Sequence, residues 1–143
     1  MKFGIGLFGM QTHGELPYKH PDLYKNSLEQ VRLAESVGFD SAWISEHHFL
    51  DDGYCPAPAV AAAAMAAVTS RIRIGSAGII LPLQNPVRVA EDAAVVDNIS
   101  NGRFDLGVVL GYRKEEYDGM GIPMIERPSR MEEGLEVLGK ALS

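Results

Sequence analysis

Short apolar segments flanked by glycine alternate with longer helical patterns four times along the 143-residue chain. No other feature restricts the fold as much. The segments "KFGIGLFG" (Lys2–Gly9), "SAWIS" (Ser41–Ser45), "IRIGSAGIIL" (Ile72–Leu81) and "RFDLGVVLG" (Arg103–Gly111) read as strands. Residues 22–37 read as a helix, with Tyr24, Leu28, Val31, Ala34 and Val37 at helical spacing, Pro21 in the first turn and Gly38 as C-terminal cap. An alanine-rich helix covers Pro58 to Thr69. Asn85-Pro86 opens a third helix, to about Ile99, which Asn101-Gly102 stops. Ser129 and Glu132 predict a capping box for a last helix whose apolar stripe is Met131, Leu135, Leu138 and Leu142. Strand–helix repeats of this length are βαβ units, and right-handed crossovers lay their strands in a parallel sheet under a layer of helices. Closing a (β/α)8 barrel takes roughly 200 residues or more. The expectation is an α/β fold of four βα units, either an open four-stranded sheet or half a barrel. No linker divides residues 1–143, which read as one domain.

Charge and composition narrow the partners. A net charge of −6 and a pI near 5.1 argue against nucleic acid as a main partner, because phosphate binding needs a basic surface. No apolar run reaches the roughly 18 residues of a membrane span, and "MKFGIGLFGM" with its single Lys2 makes a poor signal peptide. The lone Cys55 excludes an internal disulfide and suits a reducing, cytoplasmic location.

The densest polar cluster, "WISEHHF" (Trp43–Phe49), leaves the carboxyl end of the second strand, where parallel α/β folds build their sites. Glu46, His47 and His48 can transfer protons near neutral pH, or they can simply cap and brace a turn. A metal site needs further ligands, and His13 is the other candidate nearby; no metal is expected. The small residues Gly75, Ser76, Ala77 and Gly78 predict close approach of a flat ligand, or tight packing against the alanine-rich helix. Arg88, in a helix's first turn, calls for a carboxylate partner such as Glu91 or Asp92. Gly111, Tyr112 and Arg113 begin the glycine-rich loop "GYRKEEYDGMGI", where they can contact a ligand or order the loop. That loop matches neither the dinucleotide nor the P-loop pattern.

Taken in order, "MKFGIGLF", "ESVGFDSAWISEHHF", "IRIGSAGIILPLQNPVRVAEDAAVVDNISNGRFDLGVVLGY" and "EEYDGMGI" make the chain resemble the bacterial luciferase family of flavin-dependent, luciferase-like monooxygenases from Met1 to about Leu142. The resemblance implies four consecutive βα units of a TIM (β/α)8 barrel of luciferase-like type, a half-barrel in this chain. It implies reduced FMN, supplied by a flavin reductase, at the carboxyl ends of the strands, and oxidation of a small organic substrate with dioxygen. A deazaflavin-dependent oxidoreductase of the same fold, or a non-catalytic flavin-binding or truncated protein, is the alternative. By motif, His47 takes the position of the catalytic histidine, with Glu46 and His48 orienting it or shaping the site. Ser76, Ala77 and Gly78 pass under the flavin ring, with a non-proline cis peptide at Ala77-Gly78, and Gly111, Tyr112 and Arg113 complete the cofactor contacts. Val109 and Leu110 depart from the cysteine and phosphate-binding arginine of luciferases proper. Such a chain is expected to bind FMN weakly, with Arg113 the nearest cation.

A half-barrel has two unpaired strand edges, and these favour self-association. Phe3, Ile5 and Leu7 of the first strand and Phe104, Leu106 and Val108 of the fourth are expected to lie along an opened core. A homo-oligomer, two half-barrels pairing strand four with strand one, is the corresponding expectation.

Overall fold

The computed structural model describes residues 1–7 and 20–143. In chain order the elements are β1 (Gly4–Gly6), α1 (His20–Ser36), β2 (Ser41–Ile44), α2 (Pro58–Ala67), β3 (Arg73–Ser76), β4 (Ile79–Ile80), α3 (Pro86–Ser100), β5 (Phe104–Asp105), β6 (Val108–Val109), α4 (Lys114–Gly119) and α5 (Arg127–Ala141). Strands β1, β2, β3 and β5 pair in that order, all parallel, and β4 pairs parallel with β6. This is the expected series of βα units, with consecutive strands as neighbours.

Alternation along β2 and β3 decides which face meets the helices. Ala42, Ile44 and Ile74, with Ile72 just ahead of β3, are fully buried against Val31 and Ala34 of α1, Ala61, Ala62, Met65 and Ala66 of α2, and Val96 of α3. Each isoleucine, valine or methionine among them contributes about 1.5–3 kcal/mol through apolar burial, and each alanine methyl less than about 1 kcal/mol. Trp43 points to the opposite face, between Gly6 and Gly75 in register. A Cβ on Gly75 would come within 2.3 Å of its ring, and one on Gly4 within 2.7 Å of the Ser41 hydroxyl that accepts the indole N–H. The glycine at 75 therefore makes room for an indole, not for α2.

Both long strands of the sequence reading are broken. The cis peptide at Ala77-Gly78 separates β3 from β4, and Gly107 separates β5 from β6. Backbone crosses backbone there: a Cβ on Gly107 would sit 2.1 Å from the Ser76 carbonyl oxygen. The Ser76 hydroxyl bridges the gap, donating to the Gly107 carbonyl (2.8 Å) and accepting the Gly107 N–H (2.9 Å). After β4 the chain turns through a short 3-10 segment, Leu81–Leu83, rather than continuing as strand.

The Asn85 side chain caps α3 by accepting from the N–H groups of Val87 and Arg88, and Arg88 pairs with Glu91 and Asp92. Gly38 (φ 95°) and Asn101 (φ 58°) end α1 and α3 as read. In α1 the buried stripe is Leu23, Ser27, Val31 and Ala34, leaving Tyr24 and Val37 exposed. The Ser129–Glu132 capping box is absent. Helix α5 starts at Arg127, with a proline in its first turn, so Ser129 lies inside it and donates to the Glu126 carbonyl.

Leu138 and Met131 of α5 pack on Ile79, Val89 and Ala90, whereas Leu135 and Leu142 remain about half exposed. With Leu106, Val108 and Leu138 they line an uncovered groove of about 390 Å³ beside β6. The open face of the sheet is not the apolar surface anticipated. Ile5, Leu7 and Phe104 pack into the helix-side core, Leu106 and Val108 join the α5 cluster, and Phe3 is exposed. Trp43, the strand glycines and the bidentate Arg73–Asp105 pair occupy that face instead.

One polar contact ties α1 to β3. The Glu35 carboxylate accepts the successive N–H groups of Ser70 (3.0 Å), Arg71 (2.6 Å) and Ile72 (2.8 Å). Burial alone would push its carboxyl up, but these donors outweigh it and hold the group below its ordinary value of 4.5. A lowered folded-state value means the contribution is complete above that ordinary value and fades as pH falls through the lowered one. Glu35→Ala is expected to cost about 2 kcal/mol at neutral pH. The difference from the parent should shrink on acidification, which urea unfolding at about pH 7 and pH 3 would measure.

Candidate active site

Past Ile44 the chain leaves the sheet at its carboxyl end and delivers two histidines, each onto a different buried carboxylate. His47 Nδ1 lies 2.8 Å from Glu116 Oε1, with the side chains 19% and 0% exposed. His48 Nε2 lies 2.6 Å from Glu46 Oε1. Glu46 also accepts the Ile80 N–H (2.8 Å) and the Gln84 amide (2.9 Å), which closes its coordination. Glu116 Oε1 further accepts the backbone N–H of His48 (3.0 Å).

The His47 ring forms part of the wall of a cavity of about 190 Å³. Ala77, Gly78, Ile80 and Val109 give the cavity a small, apolar surface; Ser45, His47, Tyr112 and Glu116 are polar. Tyr54 and Tyr112 meet the imidazole edge-on, with ring centroids at 4.7 and 5.9 Å, and the Tyr54 hydroxyl is hydrogen-bonded to Ser45. Gly111 (φ 75°) brings its backbone to the cavity, where a Cβ would lie 2.6 Å from Ile80 Cγ2. The wholly buried Tyr117 donates to the Leu110 carbonyl (2.5 Å) and fixes that turn. Burial pushes its phenol up, so the proton needed for this bond is retained.

Of the residues singled out in the sequence, His47, Glu46, Ala77, Gly78, Gly111 and Tyr112 line one cavity. Three do not. His48 turns away onto Glu46, and Ser76 is committed to Gly107. Arg113 donates to the His48 carbonyl (3.4 Å) and lies 3.5 Å from Glu116 Oε1. Its guanidinium is thereby engaged within the protein rather than free for a phosphate. Glu46 and His48 do not orient His47 either, because they satisfy each other.

Glu116, which does bond His47, lies in the glycine-rich segment after the fourth strand, whose composition predicts a loop. Residues 114–119 form α4 instead, and the Lys114–Asp118 pair at i,i+4 was its legible sign. Cys55 is buried in the core, where burial first and then the charge of Glu46 push its thiol up, so it is not poised as a nucleophile. Among the described residues no three His, Cys, Asp or Glu side chains are gathered to hold a metal ion, and His13 lies outside those residues. Nor is any helix among them long and apolar enough to cross a membrane.

Comparison with known proteins bears on this arrangement directly. The family model for luciferase-like monooxygenases matches residues 1–143. The chain is 35% identical over 124 residues to the alkanal monooxygenase alpha chain of Photorhabdus laumondii, covering 87% of this chain and 34% of that one. It is 34% identical over 98 residues to the oxygenase component of the flavin-dependent trigonelline monooxygenase of Acinetobacter baylyi, covering 68% and 27%. The crystal structure of the monooxygenase RslO1 from Streptomyces bottropensis superposes with a TM-score of 0.89 at 34% identity, over 96% of this chain and 42% of that one. The chain thus spans well under half the length of these relatives. With four parallel βα units and a histidine-bearing cavity at their carboxyl end, it belongs to the luciferase-like monooxygenase family.

Proposed function

We propose that residues 1–143 form one domain, the His47-bearing half-barrel of a flavin-dependent monooxygenase that oxidises a small organic substrate with dioxygen. The observation that carries this reading is His47. Its Nδ1 is bound to a buried carboxylate, its Nε2 has no hydrogen bond among the described residues, and its ring lines a cavity beside Ala77, Gly78 and Gly111.

The cavity suits a flat ring system. Gly78 and Gly111 give its wall backbone without side chains, and Ala77 adds only a methyl. No lysine or arginine lines the cavity, so its walls offer the phosphate of FMN no cation. When bound, the reduced flavin supplies the electrons that dioxygen requires. The chain's own part is to accept or return a proton at His47 Nε2, to keep water from the reacting atoms with Ala77, Ile80 and Val109, and to cover the imidazole edge with Tyr112.

The test combines the protein with reduced FMN, dioxygen and a panel of aldehydes. Catalytic product formation supports the proposal. Stoichiometric flavin binding without turnover would make the chain a carrier, and hydride transfer from a reduced deazaflavin without dioxygen would make it a dehydrogenase. A polypeptide of these 143 residues is expected to bind FMN more weakly than about 1 μM, since ring burial alone must supply the affinity. Light scattering on the same samples is expected to show self-association through the β1 and β5 edges and the groove beside β6. A tight-binding monomer would overturn both expectations.

A further inference from the structure

We infer that Glu116 is a positioning residue that holds His47 in the tautomer with its proton on Nδ1 and its lone pair on Nε2, facing the cavity. The catalytic meaning of this rests on the proposed role of His47; the tautomer itself does not. Oε1 of Glu116 already serves as acceptor for the His48 N–H at 3.0 Å, and it meets His47 Nδ1 at 2.8 Å. An oxygen placed to accept from a backbone amide selects a donor at its second contact, so Nδ1 carries the hydrogen. Glu46, the other carboxylate nearby, is saturated by Ile80, Gln84 and His48.

Packing alone does not explain a carboxylate at 116. The side chain is wholly buried, and its Oε2 is the one buried side-chain polar atom without a partner among the described residues. A glutamine would offer the same acceptor to His47 and His48 without burying a charge. What the carboxylate adds over an amide is a negative charge, 3.5 Å from the Arg113 guanidinium and 2.8 Å from the imidazole, where it stabilises positive charge that develops on the ring as a proton is transferred.

The arrangement is held from behind. Phe49, with φ 56°, lays its ring against Gly119 at the end of α4, where a Cβ would come within 2.3 Å. The segment that carries both histidines thus also seats the helix that carries Glu116.

The test is nitrogen NMR of the protein labelled at its four histidines, with His47 assigned through the His47→Asn variant. The parent is expected to show His47 protonated at Nδ1. Glu116→Gln is expected to keep that tautomer and a melting temperature no lower than the parent's, while kcat falls about tenfold or more with KM for reduced flavin unchanged. Glu116→Leu, where folded, is expected to lose the tautomer preference. A parent ring protonated only at Nε2 overturns the inference, as does a folded Leu variant that keeps the Nδ1 proton; the first readout needs no variant to fold. If His47→Asn leaves turnover intact while the tautomer responds as described, the proposed function fails and the positioning role stands.

Discussion

Asparagine at position 47 is expected to lower turnover about 100- to 1,000-fold, the usual contribution of a positioned general acid–base group. The substitution isolates one atom. An asparagine amide N–H can stand near the imidazole Nδ1 and donate to Glu116 Oε1, now 2.8 Å from it, so the buried carboxylate keeps a partner. Only Nε2 is removed, and stability should stay within about 1 kcal/mol of the parent. His48→Gln is the matching control. Its amide can replace Nε2–H toward Glu46, whose bond is 2.6 Å, and activity should remain within about threefold. Steady-state kinetics with reduced flavin and chemical unfolding of both variants would decide. Loss in the position-48 variant with retention in the position-47 variant would transfer the role to the neighbouring histidine.

These two histidines show why half of the site could be read in advance. Alternation along β2 says that adjacent side chains leave the strand on opposite sides, so one imidazole had to face the sheet opening. Alternation does not say which carboxylate each would find. Glu46 is two residues from His48 and pairs with it; Glu116 is 69 residues from His47 and reaches it only because α4 forms. A six-residue helix ending in Gly119 gives a weak periodic signal, and its anchor, the Phe49 ring over Gly119, is a tertiary contact. The place of Arg113 depends on the same helix: at the start of α4 it turns back onto Glu116 and the His48 carbonyl.

In the fold, strand order and helix placement followed from the βα period and from the buried alternation of Ala42, Ile44, Ile72 and Ile74. The strand breaks were less visible. "IRIGSAGIIL" is apolar throughout, and a bend within it depends on where Gly107 of the next strand crosses Ser76. The α5 stripe was sound as a pattern, but its outer members, Leu135 and Leu142, have no neighbouring element on this chain to cover them.

Arg103→Met is expected to destabilise the protein by about 4 kcal/mol. Every nitrogen of this guanidinium is used. Nε donates to the Ser100 carbonyl (2.6 Å), Nη1 to the Ile72 carbonyl (2.6 Å) and the Thr69 hydroxyl (3.1 Å), and Nη2 to the carbonyls of Ala66 and Thr69 (3.1 Å each). Those acceptors belong to the C-terminal ends of α2 and α3 and to the chain entering β3. Neither helix has a basic residue in its own last turn, so Arg103 supplies the cation that both dipoles favour and adds donors to the carbonyls at their C-terminal ends. Methionine preserves the apolar stem while stranding these acceptors, so the loss reports the hydrogen bonds rather than packing. The site lies at the amino-terminal end of the strands, away from the cavity, where such networks serve stability rather than chemistry. Urea unfolding should show the midpoint falling with an unchanged m-value. Arg103→Lys should recover less than half of the loss, because an ammonium cannot reach three chain segments at once. Full recovery with lysine, or a loss under about 1 kcal/mol with methionine, would mean that water replaces the guanidinium at these carbonyls without cost.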